Sequence, residues 1–97
     1  MDVRSLIPDL VTLGRIEEAA GHLQNLDGAT EGDEELWSLV ARGYMAAGRP
    51  EDATAAWRHV LGLNGGLYEA RKRLAQLLLE AGRRPEALDH LAWLADR

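Results

Sequence analysis

The amino-acid sequence predicts an all-α fold: an α-α superhelix, or solenoid, of three helical hairpins and therefore six antiparallel helices. The first observation is a repeat, because the block at residues 34–67 aligns with the residues 34 positions before and after it. A repeat period of about 20–50 residues is typical of arrays built from one supersecondary unit. The second observation is composition, since the chain contains no Phe and few β-branched residues with which a sheet could pack.

The central block contains two amphipathic helical patterns. In each, apolar residues recur at i, i+3, i+4 and i+7, which is the spacing of one helix face. They are Trp37, Val40, Ala41 and Tyr44 in the first pattern, and Ala53, Ala56, Trp57 and Val60 in the second. Between the patterns, Gly48 suits the left-handed residue that ends a helix, and Pro50 suits the first turn of the next helix. These signals predict helices near 34–47 and 50–62.

The blocks on either side repeat this pattern. The matched columns include Gly14, Gly48 and Gly82; Arg15, Arg49 and Arg83; Ala19, Ala53 and Ala87; and Leu23, Trp57 and Leu91. The small Ala residues let the two helices of a hairpin approach closely, while the larger residues of the last column fill the space beside the crossing. The remaining four helices are predicted near 3–13, 16–27, 67–81 and 84–96. A chain of 97 residues then forms a single domain, with repeats at about 1–33, 34–67 and 68–97.

Two local features modify the pattern. Pro8 lacks a backbone N–H and disfavours helical geometry at Ile7, so we expect the first helix to be shortened or kinked. The segment from residue 27 to residue 33 is the longest and most polar loop. Within it, Thr30 and Asp33 are the candidates for the N-cap of the helix that follows.

The 34-residue pattern resembles that of the tetratricopeptide repeat (TPR) family over essentially the whole chain. The middle block carries the fullest match, with Trp37, Val40, Ala41, Tyr44, Gly48, Ala53, Trp57 and Val60. It departs from the family at Gly65, where a proline usually closes the repeat, and the third block carries Arg71 where the family prefers Trp. The resemblance is specific for the fold and much less specific for function.

The resemblance implies a protein-protein interaction module, whose first helices line a concave groove that binds a peptide or protein segment. By the family's pattern, the groove-facing residues are Arg4, Val11, Ser38, Arg42, Met45, Lys72, Gln76 and Leu79, together with Pro8, Glu35 and Glu69. Arg4, Arg42 and Lys72 would give an acidic protein three cations on this side, which suits a ligand with a carboxylate. The alternative is that these charges form an ordinary solvated helix face.

One subclass of the family grips the C-terminal carboxylates of chaperones with two Asn residues and a set of basic residues. In this chain Pro8 and Leu39 occupy the two Asn positions, and Gln76 replaces one of the basic residues. Arg4 and Lys72 match two of the cations. These departures argue against chaperone-tail binding.

The composition argues against several other classes of function. With a formal net charge of −5, the chain lacks the clustered basic residues that a nucleic-acid partner normally requires. It has no Cys, and His22, His59 and His90 are not spaced to bind one metal ion, so we expect no metal or other cofactor. No set of residues suggests an enzyme. Without a signal peptide or a membrane-spanning apolar run, we expect a cytoplasmic protein with no membrane partner.

A second class of function stays open, namely self-association or a structural role. TPR arrays commonly end in an additional helix with a polar outer face, whereas this sequence ends directly after its sixth predicted helix. Leu88, Ala92 and Trp93 are therefore candidate self-association residues, although Trp93 has partial burial against its own hairpin as an equal alternative. The face would belong to a fragment of a longer array, to a homo-oligomer, or to a surface left in water.

Overall fold

A computed structural model describes residues 3–26 and 32–96. A 3-10 helix at Val3–Leu6 precedes α1 (Ile7–Thr12), which forms the first hairpin with α2 (Ile16–Gln24). The second hairpin consists of α3 (Asp33–Ala46) and α4 (Pro50–Leu63), and the third of α5 (Tyr68–Glu80) and α6 (Arg84–Ala95). The described residues contain helices and no strand, which confirms the prediction of an all-α repeat fold.

The same turn joins the two helices of every hairpin. Gly14, Gly48 and Gly82 all have positive φ angles, of 81°, 73° and 79°. In the second hairpin, the Gly48 N–H donates to Met45 O at 3.1 Å and the Arg49 N–H donates to Tyr44 O at 2.9 Å. The other two turns repeat this pair of bonds, which forms the Schellman ending of a helix. The glycine column of the repeat is therefore explained by backbone conformation.

Pro8 shortens the first helix, as predicted. The chain enters as a 3-10 helix, and α-helical geometry begins only at Ile7, with Leu6 as the N-cap. Pro8 consequently lies in the first turn of α1, where its missing N–H breaks no helical hydrogen bond. α1 has six residues, whereas α3 has 14.

The N-cap of α3 differs from the prediction. Gly32 occupies the N-cap position with a φ of 101°, so Asp33 is the first residue of the helix itself. The Asp33 carboxylate accepts a hydrogen bond from the Arg4 guanidinium, with 2.8 Å between Oδ1 and Nε. This long-range pair draws Asp33 towards the start of the chain and ties that start to α3. Thr30, the other predicted cap, lies outside the described residues.

One apolar core extends from the first hairpin through the second to α5 of the third. Ala19, Ala53 and Ala87 are fully buried at the helix crossings, as predicted. Trp57 is the largest fully buried side chain, and its indole N–H donates to the Met45 sulfur at 3.4 Å. α2 packs on α3, and α4 packs on α5. The second hairpin therefore covers the apolar face of the first, and the third covers that of the second.

The third hairpin leaves one predicted core position open. Leu23 and Trp57 are 6% and 0% exposed, whereas Leu91, at the equivalent position of α6, is 37% exposed. Leu91 is therefore less enclosed than the residues at the equivalent positions of α2 and α4. The helices α2 and α4, which carry Leu23 and Trp57, each pack on a following hairpin, and no described helix follows α6.

Candidate peptide-binding groove

The predicted groove residues of the third hairpin form a continuous row on α5. Lys72, Gln76 and Leu79 follow one another at i, i+4 and i+7, and all three are exposed. Glu69 precedes Lys72 by one turn on the same side of the helix. We name Glu69, Lys72, Gln76 and Leu79 the α5 stripe. The equivalent positions of α3 hold Glu35, Ser38, Arg42 and Met45.

An ion pair joins α3 to the α5 stripe. Arg42 donates from Nη1 to Oε1 of Glu69 at 2.9 Å, and both side chains are nearly half exposed. The pair brings the groove positions of the second and third hairpins onto one surface. It also means that a carboxylate on a ligand would have to compete with Glu69 for Arg42.

The three predicted cations differ in what they contact. Arg4 is mostly enclosed and pairs with the buried carboxylate of Asp33, so it anchors the start of the chain. Arg42 is paired with Glu69, as described above. Lys72 is exposed. The groove therefore presents less positive charge to a ligand than the sequence predicts.

Ser38 does not face the groove, contrary to the prediction. The residue is buried, and its hydroxyl donates to the Glu34 carbonyl oxygen at 2.8 Å, one turn earlier in α3. A hydroxyl that bonds to its own helix can be enclosed without losing a hydrogen bond. This local bond is the physical reason that a polar residue lies in the interior here.

The apolar groove residues fall into two kinds. Val11 and Met45 are partly buried and pack against the core. Val11 approaches Gly43 so closely that a Cβ on Gly43 would lie 3.0 Å from Val11 Cγ1. Gly43 thus allows α1 to lie close to α3, a role that the repeat pattern does not indicate. Leu79 is 45% exposed, so its side chain is available to a ligand.

A cleft between the second and third hairpins was not predicted from the sequence. It is lined by Pro50, Thr54 and Arg58 of α4 and by Leu77 and Glu80 of α5, among others. A smaller hollow shares Pro50, Leu77 and Glu80 with it and reaches Met45. The cleft depends on how two hairpins sit against each other, and a 34-residue pattern carries no signal for that.

Trp93, a predicted self-association residue, lies against its own hairpin. The Arg71 guanidinium carbon is 4.7 Å from the centroid of the Trp93 ring. Arg71 also donates from Nη2 to Gly65 O at 3.2 Å, and its Nη1 is 3.4 Å from His90 Nδ1. These contacts favour the alternative of partial burial over a role in self-association. Burial, and then the charge of Arg71, lower the pKa of His90.

α6 carries an exposed apolar row. Leu88, Leu91, Ala92 and Ala95 lie at i, i+3, i+4 and i+7, and all four are exposed, Leu88 at 60%. We name these residues the α6 stripe. It includes Leu88 and Ala92, which were candidates for self-association, and adds two residues that repeat the same helical spacing.

The part of the chain that the structure describes contains neither a metal site nor a membrane span. Within residues 3–26 and 32–96, no three His, Cys, Asp or Glu residues are grouped so that they could hold a metal ion. None of the helices in these ranges is long and apolar enough to cross a membrane.

Comparisons with known proteins agree with this architecture. A family model described as "Tetratricopeptide repeat" matches residues 44–96, and one described as "Bacterial transcriptional activator domain" matches residues 2–67. Each match covers more than half of the chain, and the bacterial transcriptional activator domain also has a TPR-like fold. A search of curated proteins and a search of solved structures found no match. With its repeated hairpins and turns, the chain belongs to the tetratricopeptide repeat family.

Proposed function

We propose that the protein is a non-enzymatic interaction module that binds a peptide or protein segment along the face of α3 and α5. TPR-type repeats generally mediate protein-protein interaction and are generally not catalytic. The observation that carries the proposal is the α5 stripe, an exposed row of charged, polar and apolar groups that the Arg42–Glu69 ion pair joins to α3. Such a mixed row suits a peptide, which offers polar and apolar groups in alternation.

The spacing of the α5 stripe indicates which ligands suit it. Lys72 and Leu79 are seven residues apart, which corresponds to about 10 Å along a helix. An extended peptide covers that distance in about three residues. We therefore expect a ligand in which an acidic residue is separated by about three positions from a large apolar residue. The acidic group would meet Lys72, and the apolar side chain would meet Leu79.

Peptide selection on the intact chain tests this proposal. Binders are isolated from a random peptide library, and each is then measured against Lys72→Glu and Leu79→Asp. Arg15→Glu is the control, because Arg15 is exposed at the turn of the first hairpin and undergoes the same charge change as Lys72. We expect each groove variant to weaken binding about tenfold, and the control to leave it unchanged. Binders that tolerate both groove variants would exclude this face as the binding site.

The match to the bacterial transcriptional activator domain supports a cellular setting for the module. We infer that it serves as a protein-binding part of a regulator of transcription, in the cytoplasm. The net charge of −5 supports contact with protein rather than with DNA. Titration of the chain into duplex DNA at low salt tests this inference. We expect no complex, and a complex that weakens steeply with added salt would contradict it.

A self-associating or structural unit is the second candidate function. The α6 stripe favours it, because contiguous apolar surface is usually covered by a partner. The two candidates are compatible, since the stripe lies on α6 and the proposed groove on α3 and α5.

A further inference from the structure

The α6 stripe occupies positions that the other hairpins bury against a neighbour. Ala20 and Leu23 of α2 are equivalent to Leu88 and Leu91, and both are buried where α2 packs on α3. Trp57 of α4, also equivalent to Leu91, is fully buried. The stripe therefore has the character of half an interface whose other half is not among the described residues.

At two positions the α6 stripe differs from α4, the helix that packs on the third hairpin. At the positions equivalent to Leu88 and Ala92, α4 carries Thr54 and Arg58. Arg58 forms an ion pair with Glu86 of the third hairpin. Ala92 cannot repeat that ion pair. A further hairpin that packed on α6 as the third packs on α4 would place its equivalent of Glu86 against Ala92, without an ion-pair partner.

We propose that the occupant is the α6 stripe of a second copy, with the two helices antiparallel about a twofold axis. Along the chain the stripe reads Leu88, Leu91, Ala92, Ala95. Reversing the second helix sets Leu88 opposite Ala95 and Leu91 opposite Ala92, so that every large side chain meets a small one. A parallel pair would set Leu on Leu and Ala on Ala, which leaves gaps. The pairing rests on the second candidate function and gives it a geometry.

The charges at the two ends of α6 fit the same arrangement. Arg84 lies one turn before Leu88, Asp96 directly follows the helix, and both are exposed. In an antiparallel pair, Arg84 of each copy lies within about one helical turn of Asp96 of the second copy. A twofold interface must be complementary to itself. A positive charge at one end of α6 and a negative charge at the other meet that requirement.

The proposed interface is small, and its size sets its strength. Two leucines and two alanines from each copy bury well below the roughly 1,200 Å² of a stable complex. We therefore expect a weak, transient dimer. The dimer would form at high local concentration, as when the chain is tethered beside a second copy.

Sedimentation equilibrium of the full chain, from low to high micromolar concentration, tests the pairing. We expect a monomer–dimer equilibrium, and we expect Leu88→Asp to raise the dissociation constant of the dimer about tenfold. Leu13→Asp is the matched control, because Leu13 is a leucine of the first hairpin that is 70% exposed. Circular dichroism of each variant verifies that it remains folded, so that a lost dimer is not a lost fold.

Charge reversal tests the antiparallel geometry itself. Arg84→Glu and Asp96→Arg should each raise the dissociation constant of the dimer about threefold. The double variant should return it to the value of the original chain. A dimer that survives Leu88→Asp, or reversals without rescue, would overturn the pairing while self-association stands. Complexes that grow beyond two copies would overturn it too, since they indicate a head-to-tail contact. A monomer at every concentration would remove the pairing and the self-association function together, and would leave the groove untouched.

Discussion

Arg71 stacks on Trp93 in the third hairpin, at the two positions where Trp37 stacks on His59 in the second. The Arg71 guanidinium carbon is 4.7 Å from the Trp93 ring centroid, and the Trp37 and His59 rings are 4.3 Å apart at an angle of 6°. The tryptophan of the stacked pair lies on the first helix in the second hairpin and on the second helix in the third. Trp93 stands at the position that holds Asn25 and His59 in the other repeats, and it therefore compensates for Arg71, which stands where the family prefers Trp.

A double-mutant cycle tests this compensation. We expect Arg71→Ala and Trp93→Ala to show a coupling energy of about 0.5–1 kcal/mol in the free energy of unfolding, since a cation lies over the ring face. The control cycle combines Trp93→Ala with Arg73→Ala, because Arg73 bonds to Gln76 instead. Equal coupling in the two cycles would contradict a specific Arg71–Trp93 contact.

The same cluster predicts how stability depends on pH. Burial and the charge of Arg71 lower the pKa of His90, while Glu86 and Asp89 act more weakly in the opposite direction. The unfolded chain therefore takes up a proton at a higher pH than the folded chain does. The free energy of unfolding should fall as the pH drops from about 7 through the ordinary pKa of histidine.

Chemical denaturation at a series of pH values measures this loss. His90→Gln should lose less stability between about pH 7 and pH 5 than the original chain does. His22→Gln, which removes a histidine from the first hairpin, is the control. A pH profile that His90→Gln leaves unchanged would rule out the predicted coupling.

Two glycines should respond to alanine with opposite signs. Gly48 has a φ of 73°, which an L side chain adopts at a cost, so Gly48→Ala should lower the free energy of unfolding by about 1–2 kcal/mol. Gly62 lies in α4 with open space around a Cβ, so Gly62→Ala should raise it by about 0.5 kcal/mol. Thermal or denaturant unfolding measures both changes in the free energy of unfolding. Changes of the same sign would contradict the turn conformation assigned to Gly48.

The helix crossing of the second hairpin can be tested by overpacking. Ala53 is fully buried there, so Ala53→Leu should lower the free energy of unfolding by about 1–3 kcal/mol. Ala55→Leu adds the same volume at an exposed position of the same helix and should change stability little. Similar losses for both variants would mean that helix propensity, rather than packing, sets the cost.

The sequence predicts the features that depend on local chemistry or on the repeat. Gly48 ends a helix because glycine adopts a positive φ, and Pro8 shortens α1 because it lacks an N–H; both rules act within a few residues. The burial of Ala53 is predictable because the same small residue recurs at every helix crossing. Leu91 breaks its column because burial there depends on the next hairpin.

The candidate groove is less predictable, because its chemistry depends on contacts between repeats. The family pattern assigns Ser38 and Arg42 to one face without indicating that the first bonds to its own helix and the second to Glu69. Arg4 likewise has the expected charge, but Asp33 is 29 residues away in the chain. Periodicity locates such residues on a helix face, and only the packed structure identifies their partners.

Mapping where a selected peptide binds, by backbone amide NMR, tests the proposed function most directly. Resonances around Lys72, Gln76 and Leu79 on α5, and around Arg42 on α3, should shift as the peptide is added. Amides of α2 should stay in place, because that helix carries no proposed contact. Shifts confined to α2, with the α5 stripe unchanged, would contradict binding in the groove.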